Sequence, residues 1–178
     1  LAVPLKTGGY LDRFRQRIMF PLGDLSGRTV GFSGRIFVPA GQTVPENVAK
    51  YINSPQTPVY DKSTLLYGYD RAKLEIRRRD LCVLVEGQFD LLLSHQAGLT
   101  NTVAVSGTAL TERHFREAVK RLSTKMVVAF DGDAAGQEAT RRAIGILLQQ
   151  GFEVRLADLP AGSDPADLIA RNAGAWLA

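Results

Sequence analysis

Cysteine is almost missing from this sequence: Cys82 is its one thiol among 178 residues. A lone cysteine makes no intrachain disulfide, which fits a reducing compartment. Inside the apolar string LCVLV it reads as a buried core residue. Histidine is nearly as scarce. His95 and His114 stand in helix-like segments without metal-ligand spacing and read as ordinary helix residues. No uninterrupted apolar run approaches the ~20 residues of a membrane-spanning helix, so no membrane partner is expected. The opening LAVPL is broken by Pro4, followed at once by Lys6, and is too short for the apolar part of a signal peptide. Internal repeats and low-complexity tracts are absent, and the first residue is Leu1, which suggests a piece of a longer protein.

What is present is enough apolar material for a core. The hydrophobic fraction is 45%, sufficient for one substantial domain or two small ones. The net charge of +4 says less than its distribution. Residues 1–79 carry 13 Lys/Arg against 6 Asp/Glu, whereas residues 80–178 carry 9 against 12. A basic front and an acidic back suit a protein that holds a polyanion in one part and metal cations in the other.

The back half alternates strands and helices. LCVLVE (81–86) is a continuous apolar run, as in a strand buried on both faces. Phe89, Leu92, Leu93 and Ala97 then share one helical face, and Gly98 ends it. TVAVS (102–106) and MVVAF (126–130) are further strands. Between them Thr111 caps a helix with Phe115, Ala118, Val119 and Leu122 on its apolar face. Ala135, Ala139, Ala143, Ile146 and Leu147 mark the next helix, and EVRLA (153–157) a less buried strand. This rhythm implies a parallel sheet with helical crossovers. In the front half RIMFPL and RTVGFSGRIF flank the turn GDLSG, predicting a hairpin. Residues 39–63 show little periodicity and read as a long loop or linker. DRAKLEIRRRD (70–80) reads as a basic helix bridging the halves, and a solvated basic face accounts for Arg13, Arg15 and the arginines at 77–79.

Acids stand at the strand ends. Glu86 ends the first strand of this unit, Asp131 and Asp133 follow the third, and Asp164 follows the fourth. In a parallel sheet all four fall at the carboxyl edge, where open α/β folds bind ligands. Hard cations take such oxygen donors and share them with substrate phosphates. Alone, DGD is a turn sequence, Asp90 a helix N-terminal charge, and Asp164 before Pro165 a helix cap. The combination at correctly spaced strand ends favours a metal site. Ser106, Gly107 and Thr108 form a small loop at the same edge or a plain structural turn.

VEGQFD, AFDGDAAG and GSDPADL together resemble the TOPRIM domain shared by primases, topoisomerases and some nucleases. The resemblance covers about residues 80 to 168, and its signature acids map onto Glu86, Asp131 and Asp133. Upstream, RFRQRIMFPLGDLSGRTVGFSGR and KYINSPQTPVYDKSTLLYG look like the basic subdomain of bacterial replicative DNA primases, and AVSGTALTERH is similar too. The resemblance therefore spans nearly the whole chain.

It implies an α/β fold: a TOPRIM parallel-sheet domain with helices on both faces (80–165), preceded by a partial basic α+β subdomain (1–79) and followed by the start of a helical subdomain (166–178). It implies synthesis of short RNA primers from ribonucleoside triphosphates on single-stranded DNA, with Mg²⁺ or Mn²⁺. Asp131, Asp133 and Asp164 would hold metal, and Glu86 would be a ligand or the general base. Arg35, Lys50, Tyr51, Asn53 and Lys62 would line the template and nucleotide groove, with Lys and Arg on phosphates and Tyr51 suited to stacking. A zinc module before the core and a helicase-contacting domain after it would lie outside this chain, and a cytoplasmic, nucleoid-associated location follows. Two positions depart from the family pattern. Ala166 stands where relatives often carry an acid, with Asp167 one further on, and GFSGR replaces GFGGR. Two other readings use the same residues: a TOPRIM nuclease or topoisomerase-like enzyme, and a single-strand-binding fragment without turnover.

Overall fold

Buried strands with short helical returns have one stable arrangement, a parallel sheet covered on both sides. That is what the second half forms. The structure, a computed structural model, describes residues 2–43, 47–107, 110–160 and 162–177. Chain order runs β1 (Ala2–Pro4), β2 (Tyr10–Asp12), β3 (Arg17–Gly23), β4 (Thr29–Ile36), β5 (Tyr51–Asn53), α1 (Tyr69–Arg79), β6 (Cys82–Val85), α2 (Gln88–Gln96), β7 (Thr102–Ala104) and α3 (Glu112–His114), which continues as a π-helical turn (Phe115–Val119). β8 (Lys125–Ala129), α4 (Ala134–Gln149), β9 (Glu153–Leu156), α5 (Pro165–Arg171) and α6 (Ala173–Leu177) follow.

Among the described residues, four parallel strands lie in the order β7-β6-β8-β9. Side chains alternate across this sheet as strand geometry requires. Cys82 and Leu84 join Met126 and Val128 on one face, under Ile76 of α1, Phe115 of the π-helical turn and Leu147 of α4. Val83 and Val85 join Ala104 and Ala129 on the other, under Leu91 of α2 and Trp176 of α6. Helices thus cover both faces, and Leu84, fully buried at the centre, contributes about 1.5–3 kcal/mol. Because β7 and β8 flank β6 on opposite sides, the crevice of an open α/β sheet falls at the carboxyl ends of β6 and β8. Among the described residues no helix is long and apolar enough to cross a membrane.

The front half is an antiparallel sheet, β3-β4-β5, with a separate β1–β2 hairpin. The predicted hairpin is β3–β4, with a register shift between Leu22 and Gly23. Its turn closes on Asp24, whose Oδ1 accepts the Ser26 and Arg28 backbone N–H at 2.9 and 3.0 Å.

Three expectations change. The aperiodic stretch 39–63 contains β5, which pairs with β4 through Arg35↔Tyr51 and Ser33↔Asn53. Three residues are too few to show a period, and the partner strand makes this one. The buried side of α2 carries Gln88, Asp90, Leu91 and Ser94, while Leu92 is exposed. Hydrogen-bonded polar groups occupy a face that an apolar pattern alone misplaces. The helix from Thr111 widens into a π-helical turn after one turn, although Phe115, Ala118 and Val119 are buried as expected.

Candidate functional site

The β6–β8 pairing brings the acids together. Glu86 directly follows β6, and Asp131 stands two residues after β8. Glu86 Oε1 accepts the Asp131 backbone N–H at 3.1 Å. Asp133 caps α4 by accepting Gly136 N–H on Oδ1 at 2.8 Å, and Asp164 caps α5 by accepting Asp167 N–H on Oδ1 at 2.6 Å. Both keep their second oxygen outside these caps. The loop is tight for a backbone reason. A Cβ at Gly132 would lie 2.7 Å from the Pro160 carbonyl, and one at Gly136 would lie 2.1 Å from the Asp131 carbonyl.

Crowding shows in the ionisation. Burial, then the charges of Asp131 and Asp133, push Glu86 above the usual carboxylate range. Burial, then Asp164 and Asp133, push Asp131 up, while Lys50 across the groove pulls it down. Asp131 Oδ1 is buried with no hydrogen-bond partner in the protein. Hard oxygen donors, mutual repulsion and an unpartnered buried oxygen all fit a divalent cation. Among the described residues no three His, Cys, Asp or Glu side chains form a ready-made cage. The fit is therefore to a cation that shares its shell with water and ligand oxygens.

Asp90 is built differently. Its Oδ2 accepts Gly87 N–H at 2.9 Å and its Oδ1 accepts Ala166 N–H at 3.1 Å. Burial pushes its pKa up to about 6. It joins the start of α2 to the start of α5, with Ala166 as a backbone donor to Asp90. Asp167 pairs with Arg171 at 3.9 Å on the exposed side of α5.

Glu86, Asp131 and Asp164 line a groove of 910 Å³ that also carries Arg35, Lys50, Tyr51 and Asn53, whereas Asp133 is exposed and is not among its lining residues. The Arg35 guanidinium lies 4.6 Å from the Phe89 ring centroid and 5.6 Å from that of Tyr51. Asn53 donates its Nδ2 to the Ser106 carbonyl at 3.4 Å, and its Oδ1 is buried without a partner in the protein. Of the predicted groove residues, Lys62 is not among those lining this cavity. Its carbonyl is held by His114 Nε2 at 3.0 Å. His114 Nδ1 accepts Thr111 N–H at 3.0 Å, so Nε2 carries the proton and the ring is neutral, in line with a pKa lowered by burial.

Several contributors were not singled out by the sequence. Arg13 does not belong to a solvated face: its Nε and Nη2 donate to the Asn53 carbonyl at 3.2 and 2.9 Å. Arg17 donates to the carbonyls of Gly34, Ala49 and Lys50. Arg142 and Phe89 line the groove. Arg13 finds its partner in β5, and Arg17 finds its partners in β4 and in the segment leading into β5, whose three residues show no period. Arg78 and Arg79 do pair with Glu75 on an exposed helix face. Ser106 and Gly107 both have positive φ, 62° and 72°, forming the expected loop at this edge, while Thr108 lies outside the described residues.

Residues 1–73 match the family described as DNA primase catalytic core, N-terminal domain, and residues 83–169 match Toprim-like. A DNA primase from Staphylococcus aureus (strain COL) is 46% identical over 162 residues, covering 91% of this chain and 26% of that protein. One from Staphylococcus epidermidis is 43% identical over 160 residues, covering 90% and 25%. The chain thus spans about a quarter of the length of these relatives. Among solved structures, the zinc-binding and RNA polymerase domains of the Aquifex aeolicus primase superpose with a TM-score of 0.88 at 37% identity, over 99% of this chain and 42% of that one. A DnaG primase catalytic domain bound to single-stranded DNA superposes with a TM-score of 0.81 at 34% identity, over 96% and 54%.

Proposed function

The chain belongs to the DNA primase family, carrying the N-terminal domain of the catalytic core and a Toprim domain, and from that premise we propose that it is the acting part of a DNA-directed RNA polymerase. It makes short RNA primers on single-stranded DNA from ribonucleoside triphosphates, for chromosome replication in the cytoplasm, with Mg²⁺ or Mn²⁺ as cofactor. The observation that carries this reading is one groove with a basic wall and an acidic wall, close enough for Lys50 to act on the ionisation of Asp131.

Residues 1–79 serve as the polyanion-holding subdomain, 80–165 as the metal-binding domain, and 166–178 as the start of a helical subdomain. Arg35 and Lys50 neutralise template or triphosphate phosphates in the groove, and Lys62, outside it, meets only template beyond the groove. Tyr51 stacks on a base or sugar, and the unpartnered Asn53 Oδ1 accepts a donor from the nucleotide. Asp131 and Asp133, with Asp164, hold the cation, which when bound neutralises the triphosphate charge during transfer. Glu86, raised in pKa beside them, takes the proton of the attacking 3′-hydroxyl. A strand-cleaving tyrosine fits less well. Tyr51, Tyr60, Tyr67 and Tyr69 all have their pKa raised by burial, which leaves less of the reactive phenolate at neutral pH.

Glu86→Gln is the test. Primer synthesis should be lost, while affinity for a single-stranded oligonucleotide stays within about twofold, because the proposed phosphate-holding groups belong to the basic subdomain and the substitution leaves them in place. Undiminished synthesis would remove Glu86 from the chemistry.

A further inference from the structure

The two walls of the groove belong to different sheets, so something must fix their separation. A buried polar seam joins them. Gln88, the first residue of α2, donates its Nε2 to Ser33 Oγ at 2.9 Å and to Ser106 Oγ at 2.6 Å. Gln88, Ser33 and Ser106 are 3%, 0% and 6% exposed. Buried polar groups stay with their partners because nothing else satisfies them.

Each end of the seam stands next to working residues. Ser33 is in β4, two residues before Arg35, and pairs across the sheet with Asn53. Ser106 donates its backbone N–H to the Glu86 carbonyl at 2.9 Å and accepts from Asn53 Nδ2 at 3.4 Å. Its φ of 62° is a left-handed conformation that a serine holds only when its surroundings impose it. Phe89, the next residue of α2, meets Arg35 and also packs edge-on against Phe20 of β3 at 5.6 Å. Asp90 anchors the same turn of α2 through the Gly87 and Ala166 N–H groups.

We infer that Gln88 is a positioning residue: it locks the basic wall to the acidic edge through Ser33 and Ser106, and so sets how a metal–triphosphate spans both. Its functional half rests on the nucleotidyl-transfer reading above. Gln88 touches neither metal nor nucleotide in this scheme. A ligand that contacts one wall is indifferent to the seam, and a ligand that must contact both depends on it.

The test uses the full chain with Gln88→Met, similar in volume but without a donor, together with Ser33→Ala and the double variant. Hydrogen exchange followed by mass spectrometry should quicken about tenfold in residues 32–35 and 105–107 and stay unchanged in α4, as for a local opening. Binding of Mn²⁺ alone and of a single-stranded oligonucleotide should hold within about twofold, while a Mn²⁺ complex of a non-hydrolysable ribonucleoside triphosphate weakens about tenfold. The double variant should match Gln88→Met, because Ser33→Ala removes only a contact that Gln88→Met has already broken. Unchanged exchange in both segments would overturn the seam. So would equal loss of all three ligands with a lowered unfolding temperature, which marks general destabilisation. If the wild-type chain binds no Mn²⁺–triphosphate, the nucleotidyl-transfer reading fails, and the exchange data still decide the seam.

Discussion

Around Glu86 and Asp131 the backbone is held by a sheet with helices on both faces; around Arg35 and Tyr51 it is held by three antiparallel strands and by side chains reaching in from elsewhere. Strand ends and helix caps position the acids. Arginine-to-carbonyl contacts position the basic wall: Arg13 on Asn53, and Arg17 on Gly34, Ala49 and Lys50. The half held by a covered sheet therefore carries the acids, and the half held by side-chain contacts carries the basic groups. Damage to one should leave the other working.

The largest separation should come from Asp131→Asn. The variant removes the carboxylate whose Oδ1 has no partner in the protein. Mn²⁺ affinity, measured by calorimetry, should fall at least about tenfold, by analogy with the loss of groups that support metal sites. Oligonucleotide affinity should stay unchanged, and the metal-free variant should be more stable than the parent at pH 8, since a crowded, half-buried charge is gone. A parallel loss of oligonucleotide binding would show that the halves are not separable.

Arg17→Ala is the reciprocal cut. It frees three carbonyls on β4 and the segment leading into β5. Single-strand affinity should drop by about 1 kcal/mol, roughly fivefold, with no change in Mn²⁺ binding. A gel-shift series across salt concentrations checks this, and a change in Mn²⁺ affinity would contradict it.

The smallest effect is in pH. Glu86, Asp131 and Asp90 have folded pKa values raised above their unfolded ones, Asp90 to about 6. The folded state thus binds protons more readily, and metal-free stability contributed by these groups falls as pH rises through their folded values. A cation competes with those protons. The Mn²⁺-induced rise in unfolding temperature should be larger at pH 8 than at pH 5. The same rise at both values would place the cation away from Glu86 and Asp131.

The same contrast explains what the sequence made readable. Glu86, Asp131, Asp133 and Asp164 follow from local rules, a buried strand and the residue that ends it, so their common edge was legible. Arg35, Lys50, Tyr51 and Asn53 came from the family resemblance, because β5 exists only by pairing with β4 and leaves no periodic trace. Gln88 was hidden, and Asp90 legible only as a helix N-terminal charge, for another reason. They are polar residues on a buried helix face, where an apolar pattern expects Phe89 and Leu92 instead.

Anomalous scattering from crystals of the chain soaked in millimolar Mn²⁺ tests the central claim most directly. The account predicts a peak within coordination distance of Asp131 and Asp133, facing Lys50 across the groove. A well-ordered edge with no Mn²⁺ there, or a peak only on the exposed acids of the front half, would contradict it.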